Sequence, residues 1–342
     1  LLSHNHKDNN STSKKELACI NIQNINFLFN FIKKIMQTIL GTGGAIGTAL
    51  AKELSQYDSV IRLVSRHPKK VNETDEIMPG NLMDKQLTER AIKGSSIAYL
   101  TVGLDYKYKV WKEQWPIIMQ NVIDACKKYN VKLVFFDNAY MYDPDYLENL
   151  TEETPVRPVS KKGKVRAEIA QNLLSEIHKG NIEAMIVRSS DFYGPNIKNS
   201  VMIETVFLKL KEGKPAIWLG DPSTYHTMTY SPDAAKATAL LGNTSNAYQQ
   251  VWHLPTAQEK VTGKQWVEMF AKELGKPAKF KAIPGKIVKL IGLFVSLFRE
   301  LTDVMYQNER NYFFKCDKFK NRFPDFRITS PEEGVREVVK AG

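Results

Sequence analysis

The sequence predicts an α/β fold built on a doubly wound, parallel sheet, followed by a smaller C-terminal lobe. Three observations carry that expectation. From Met36 onward, short apolar runs alternate with amphipathic segments; a glycine-rich turn, GTGGAIG at 41–47, joins the first run to the first helix; and the alternation breaks down after Arg188. Strand–helix alternation needs crossovers, and these place helices on both faces of a parallel sheet.

The elements follow in order. QTIL (37–40) reads as the first strand and 45–56 as the first helix. VIRLV (60–64) is the second strand, 76–78 a short third and SIAYLTV (96–102) the fourth. A helix over 111–129 leads to KLVFF (132–136), a helix over 164–179 follows, and EAMIVR (183–188) closes the series. Later, Ser231-Pro232 opens a helix because proline's fixed φ suits the first turn. Thr262 and Gln265 have capping-box spacing, Gly275 ends that helix, and Ser330-Pro331 starts the last one.

Charge and cysteines narrow the function classes. The 342 residues carry a formal net charge of +11, but as single and paired lysines rather than a basic run interleaved with aromatics, which argues against nucleic-acid binding. Cys19, Cys126 and Cys316 have neither disulfide nor zinc spacing and fit a reducing, cytoplasmic setting. Residues 1–35, polar and then Asn- and Ile-rich, read as a leader or extension without a signal peptide's cleavage site, and His4 and His6 there have no partner at metal-ligand spacing. LIGLFVSLF (290–298) is too short to span a bilayer and is expected to be a helix covering the core.

The glycine turn points to a dinucleotide. Gly41 permits the tight turn, Gly43 and Gly44 let the backbone approach a diphosphate, and Gly47 brings helix and strand together. Ala45 and Ile46 complete the loop, whose amides face the positive end of the following helix. At the end of the second strand stand Ser65 and Arg66, with Lys69 and Lys70 beyond, instead of the acid that grips an NAD ribose. A guanidinium pairs with a 2′-phosphate, so NADP is expected over NAD. The domain reading is then 36–188 for the dinucleotide and 189–342 mainly for the substrate, with 229–255 returning to the first domain.

GTGGAIG, GNLMD (80–84), the strand Lys132–Phe136 with its turn, RSSDFYGP (188–195) and TYSPDAAKA (229–237) together resemble the extended or atypical branch of the short-chain dehydrogenase/reductase superfamily, the NAD-dependent epimerases and dehydratases. The resemblance implies a Rossmann-type domain in which Asn81 and Leu82 contact adenine and Thr101, Val102 and Gly103 pass the cofactor ribose. It also implies a catalytic Ser or Thr after the fifth strand and a Tyr-x-x-x-Lys pair on the next helix. In PVSKKGKVRAE (158–168) Lys164 fills the lysine position, holding the ribose, but Ser160 stands where tyrosine belongs and Asn138 where serine belongs. Tyr140 is the expected substitute proton donor, with Tyr142, Tyr193, Asp137 and His226 as weaker candidates. Arg188 and Asp191 flank the segment beside the nicotinamide in relatives, or form an ion pair bracing it. Asp233 reads as a helix N-terminal acid, and Trp252-His253 as strand core and rim.

The functional expectation is an NAD(P)-dependent oxidoreductase or redox-assisted epimerase/dehydratase acting on a small hydroxyl or carbonyl compound, such as a sugar derivative. The alternative is a dinucleotide-binding sensor or scaffold without turnover. A homodimer through the helices 111–129 and 164–179 is a family-level expectation.

Overall fold

The computed structural model describes residues 36–342 except Ser59, Lys198 and Asn199; the expectations placed on residues 1–35 lie outside the described residues. Six strands and four helices alternate first: β1 (Gln37–Leu40), α1 (Gly47–Leu54), β2 (Ile61–Ser65), β3 (Glu76–Pro79), α2 (Lys85–Ile92), β4 (Ile97–Leu100), α3 (Tyr108–Tyr129), β5 (Lys132–Asp137), α4 (Lys161–His178) and β6 (Ala184–Arg188). The short β7 (Phe192–Tyr193), α5 (Leu208–Lys211), β8 (Ala216–Leu219) and β9 (Thr229–Tyr230) follow, then α6 (Ser231–Gly242) and β10 (Val251–His253). The chain ends with α7 (Gly263–Glu273), β11 (Phe280–Ile283), α8 (Gly285–Ile291), α9 (Ser296–Thr302), α10 (Asp317–Arg322) and α11 (Pro331–Ala341).

The main sheet has seven parallel strands in the order β10-β6-β5-β4-β1-β2-β3. Alternate residues on each strand go to opposite faces. Leu40, Leu100, Leu133 and Phe135 pack under α3 and α4 on one face. Ile39, Tyr99 and Val134 meet α1 and α6 on the other. Each fully buried Leu, Ile or Phe contributes on the order of 1.5–3 kcal/mol, so both faces are strongly specified. The chain switches direction between β1 and β4, and ligands of such sheets sit in the crevice outside the carboxyl ends of the strands at that switch.

Elements missed in the sequence are short parallel pairs, β8 with β11 and β7 with β9, around which a separate apolar cluster forms with Trp266, Phe270 and Phe207. Two helices begin three residues before their expected starts, α3 at Tyr108 and α4 at Lys161. The expected core helix over 290–298 is corrected outright. The run divides between α8 and α9, and Leu290, Leu293, Phe294 and Leu297 are exposed. The break has a cause: a Cβ on Gly292 would lie 3.0 Å from the Arg299 backbone, so glycine lets the two short helices cross in contact there. Among the described residues no helix is long and apolar enough to cross a membrane.

Candidate active site

The β1–α1 turn forms a shallow cradle of backbone. Gly41 has φ +107°, and a Cβ there would fall 2.5 Å from the backbone of Val102. Glycine is thus required for β1's turn to meet the β4 loop. Around Gly43 and Gly44 the space is open, with nothing within 4 Å of where a Cβ would stand. Helix α1 has Ile46 as its N-cap, with no side-chain cap and no acid in its first turn, leaving its N-terminal amides free for an anion. The Thr42 hydroxyl, within the cradle, is buried without a hydrogen-bond partner. An uncapped helix end, open space and an orphaned hydroxyl fit a bound diphosphate.

The neighbouring positions are arranged around this turn. Ala45 is half-buried and Ile46 buried. Ser65 ends β2, and its carbonyl accepts a hydrogen bond from Gly80 N at 2.8 Å. Arg66 is exposed. Asn81 is exposed, its side-chain oxygen accepting from Met83 N at 3.1 Å, while Leu82 is buried. Thr101 Oγ1 lies 3.3 Å from the Gly41 carbonyl, tying the β4 loop to the cradle, and Gly103 is exposed.

The chemistry end lies where β5 and β4 stop. Asn138 Oδ1 accepts from the Tyr140 amide at 3.1 Å in an Asx-type turn, and its backbone amide donates to Asp137 Oδ1 at 2.9 Å, so among the described residues the side-chain Nδ2 is the donor left over. Tyr140 stacks on Trp111, with ring centroids 6.4 Å apart, and Tyr106 meets the same indole edge-on at 5.7 Å. Burial, then the neighbouring Tyr106 and Asp191, push the Tyr140 phenol well above its ordinary pKa. Burial likewise raises Tyr106, and raises Tyr306 to about 12.

Helix α4 carries a buried lysine two residues before Lys164. Ser160 is its N-cap, the hydroxyl accepting from Gly163 N at 2.9 Å. Asp303 accepts from the amides of Lys161 and Lys162, at 3.0 and 3.1 Å. With the helix starting there, Lys162 points inward and is fully buried. Its ammonium pairs with Glu300 at 2.5 Å, bonds the Glu300 carbonyl at 3.0 Å and lies 4.5 Å from the Tyr106 ring centroid. Lys164 is exposed, its amide donating to the Ser160 carbonyl at 3.1 Å.

Several other candidates belong to a buried polar network. The Asp137 carboxylate receives Arg166 Nε at 2.7 Å and Arg188 Nε at 3.3 Å. Arg188 Nη1 donates to the Tyr142 hydroxyl at 2.9 Å, which also lies 2.6 Å from His253 Nε2. Burial drops His253 to about 3, so its imidazole is neutral. Arg188 therefore pairs with Asp137; Asp191 instead meets His226 Nε2 at 3.1 Å, and His226 stacks on Tyr312 at 4.5 Å. Tyr193 is in the lobe's core, 5.0 Å from Trp266, and Asp233 accepts from Thr329 N at 2.7 Å. Sequence reasoning missed Lys162, Tyr106, Glu300, Asp303 and Tyr306. Only Lys162 left a signal, its place on the buried stripe of α4 with Arg166, Ile169 and Leu173.

A model of the NAD dependent epimerase/dehydratase family matches residues 38–252. Among solved structures, UDP-glucose 4-epimerase of Thermus thermophilus in complex with NAD is 18% identical with TM-score 0.72, covering 90% of this chain and 98% of that one. UDP-glucuronic acid 4-epimerase of Bacillus cereus in complex with NAD is 14% identical with TM-score 0.72, over 90% and 98% of the two chains. dTDP-glucose 4,6-dehydratase of Bacillus anthracis in complex with NAD is 18% identical with TM-score 0.71, over 90% and 96%. No curated protein matches the sequence. At these identities the structural likeness concerns the fold: a parallel sheet of Rossmann type with helices on both faces. The family model spans more than half of the sequence, and the chain belongs to the NAD dependent epimerase/dehydratase family.

Proposed function

We propose that the protein is an NAD(P)-dependent oxidoreductase, or redox-assisted epimerase or dehydratase, acting on a small hydroxyl or carbonyl compound, with sugar derivatives the first class to test. The observation that carries this reading is the buried Lys162 ammonium against the Tyr106 ring, on the helix that abuts the Tyr140 turn. Gly41, Gly43, Gly44 and Gly47, with the amides of Ala45 and Ile46, hold the diphosphate. Asn81 and Leu82 face adenine, and Thr101, Val102 and Gly103 the ribose. The dinucleotide, when bound, supplies the hydride acceptor or donor.

The protein's own groups handle the substrate oxygen and its proton. Asn138 donates a hydrogen bond to that oxygen from its side-chain Nδ2. Tyr140, kept protonated by its surroundings, donates the proton. A phenol that arrives protonated suits a carbonyl substrate first. Lys162 takes the role expected of Lys164, because it is the α4 lysine turned inward.

NADP is favoured over NAD by Ser65 and Arg66 at the end of β2, although the three solved relatives named above carry NAD. The test is calorimetric titration with NADPH and NADH, then turnover across a carbonyl and sugar-nucleotide panel. We expect tighter NADPH binding that Arg66→Ala weakens selectively, and turnover that Tyr140→Phe lowers by about 10²-fold or more. Absence of binding to either dinucleotide overturns the reading.

One observation favours a second reading, a dinucleotide-binding sensor without turnover. Glu300 already neutralises Lys162, and Ser160 is engaged as a helix cap. Binding without turnover on the whole panel selects it.

A further inference from the structure

The α8–α9 hairpin has two apolar faces, and among the described residues only one is covered. Val288 packs inward with Leu219 and Met305, joined by Phe298 and Leu301. The outer face carries Leu290, Leu293, Phe294 and Leu297, with Phe294 84% exposed. Apolar side chains of this size projecting side by side form a patch rather than scattered singles. The charges beside it are of one sign. Lys286, Lys289 and Arg299 are exposed, whereas the only carboxylates between 284 and 303, Glu300 and Asp303, are engaged with Lys162 and the start of α4. The nearby Glu309 is engaged as well, accepting from Gly285 N at 2.7 Å.

We propose that this hairpin is a docking surface for an anionic lipid bilayer. Leu293, Phe294 and Leu297 enter the headgroup–acyl boundary, and Lys286 and Lys289 meet lipid phosphates. Charge complementarity selects this occupant. A second copy meeting the patch across a twofold axis sets the lysines of one chain against those of the other, in a protein already at +11. Helices α8 and α9 span seven residues each, so the contact is interfacial and not a membrane crossing. The docking element and the candidate site share α9, since Glu300 holds Lys162 from it.

The test is cosedimentation of the full chain with vesicles of phosphatidylcholine alone and of phosphatidylcholine with phosphatidylglycerol, alongside light scattering for oligomeric state. This readout does not depend on dinucleotide binding or turnover. The expected result is binding to the anionic vesicles that falls at least about tenfold in a Leu293→Ser/Phe294→Ser/Leu297→Ser variant. Unchanged thermal unfolding of that variant shows that it folds. Lys286→Glu/Lys289→Glu should abolish the preference for anionic vesicles, and added salt should weaken it. Absence of vesicle binding overturns the proposal, as does equal binding by the triple variant. Vesicle-independent dimers that the triple variant dissociates overturn it in favour of a second copy.

Discussion

Replacing Asp137 with alanine should cost the fold about 5 kcal/mol. The Asp137 side chain is fully buried, and its one carboxylate faces two guanidiniums, Arg166 and Arg188, which are 4% and 3% exposed. Removing one member of a buried ion pair costs about 3–5 kcal/mol because the remaining charge is left without a counterion. Here two cations are stranded, so the upper end applies. What remains is weak compensation: the Phe136 carbonyl at 3.3 Å and the Trp115 ring at 4.4 Å for Arg166, and the Tyr142 hydroxyl at 2.9 Å for Arg188. Against a total stability of about 5–15 kcal/mol, such a loss leaves the variant close to its unfolding threshold. Asp137→Asn keeps an acceptor in place and should lose about half as much. Equilibrium urea unfolding followed by far-ultraviolet circular dichroism measures both, with the midpoint falling at constant m-value. A loss below about 1 kcal/mol for the alanine variant refutes the assignment of Asp137 to the scaffold. If stability held while turnover vanished, a catalytic role would take its place.

Three further outcomes are expected. His253 has a folded-state pKa of about 3, depressed from its usual value by burial, so the unfolded chain takes up its proton first as pH falls. The stability this neutral imidazole contributes is present above about pH 6.5 and is lost from there down to about 3, which predicts a decline of about 2 kcal/mol between pH 7 and pH 5 that His253→Gln removes, read from urea midpoints at the two pH values. Lys162→Met should lower turnover by about 10²-fold and destabilise the protein by leaving Glu300 unpaired, while Lys164→Met, at an exposed position, should change stability by no more than about 0.5 kcal/mol and leave the rate intact; steady-state kinetics and thermal unfolding separate the two. Gly44→Val should leave thermal stability nearly unchanged, because the space around Gly44 is open, yet weaken dinucleotide binding by calorimetry, because its side chain enters the cradle.

The strand–helix alternation was legible because the central strands β1, β4, β5 and β6 are short and largely buried along their length, and the glycine turn because its conformations are local. Gly41 has positive φ and presses on Val102, a requirement of backbone that the residue type itself announces. The short pairs β7–β9 and β8–β11 were not legible. Two to four residues carry no period of their own, and packing in the lobe decides their pairing. The run 290–298 misled for a different reason: apolar content signals burial only when a partner surface exists, and among the described residues the outer face of this hairpin has none.

The two ends of the candidate site differ in the same physical respect. The cofactor end is made of backbone from one turn, so a motif finds it. The chemistry end draws side chains from the β4 loop, the β5 turn, α4 and α9, and on α4 a buried lysine and an exposed one stand only two residues apart. Helical period separates the two: Lys162 falls on the stripe of Arg166, Ile169 and Leu173, whereas Lys164 falls with the exposed Glu168 and Gln171. What no local pattern carries is the counter-charge, since Glu300 and Asp303 reach α4 from a helix more than a hundred residues away in sequence. Asp303 accepts the first free amides of α4, where the helix dipole favours a carboxylate, and Glu300 meets the lysine in the next position. Because both contacts join the same two helices, the position of Lys162 and the position of α9 are set together, and a displacement of either one moves charge inside the candidate site.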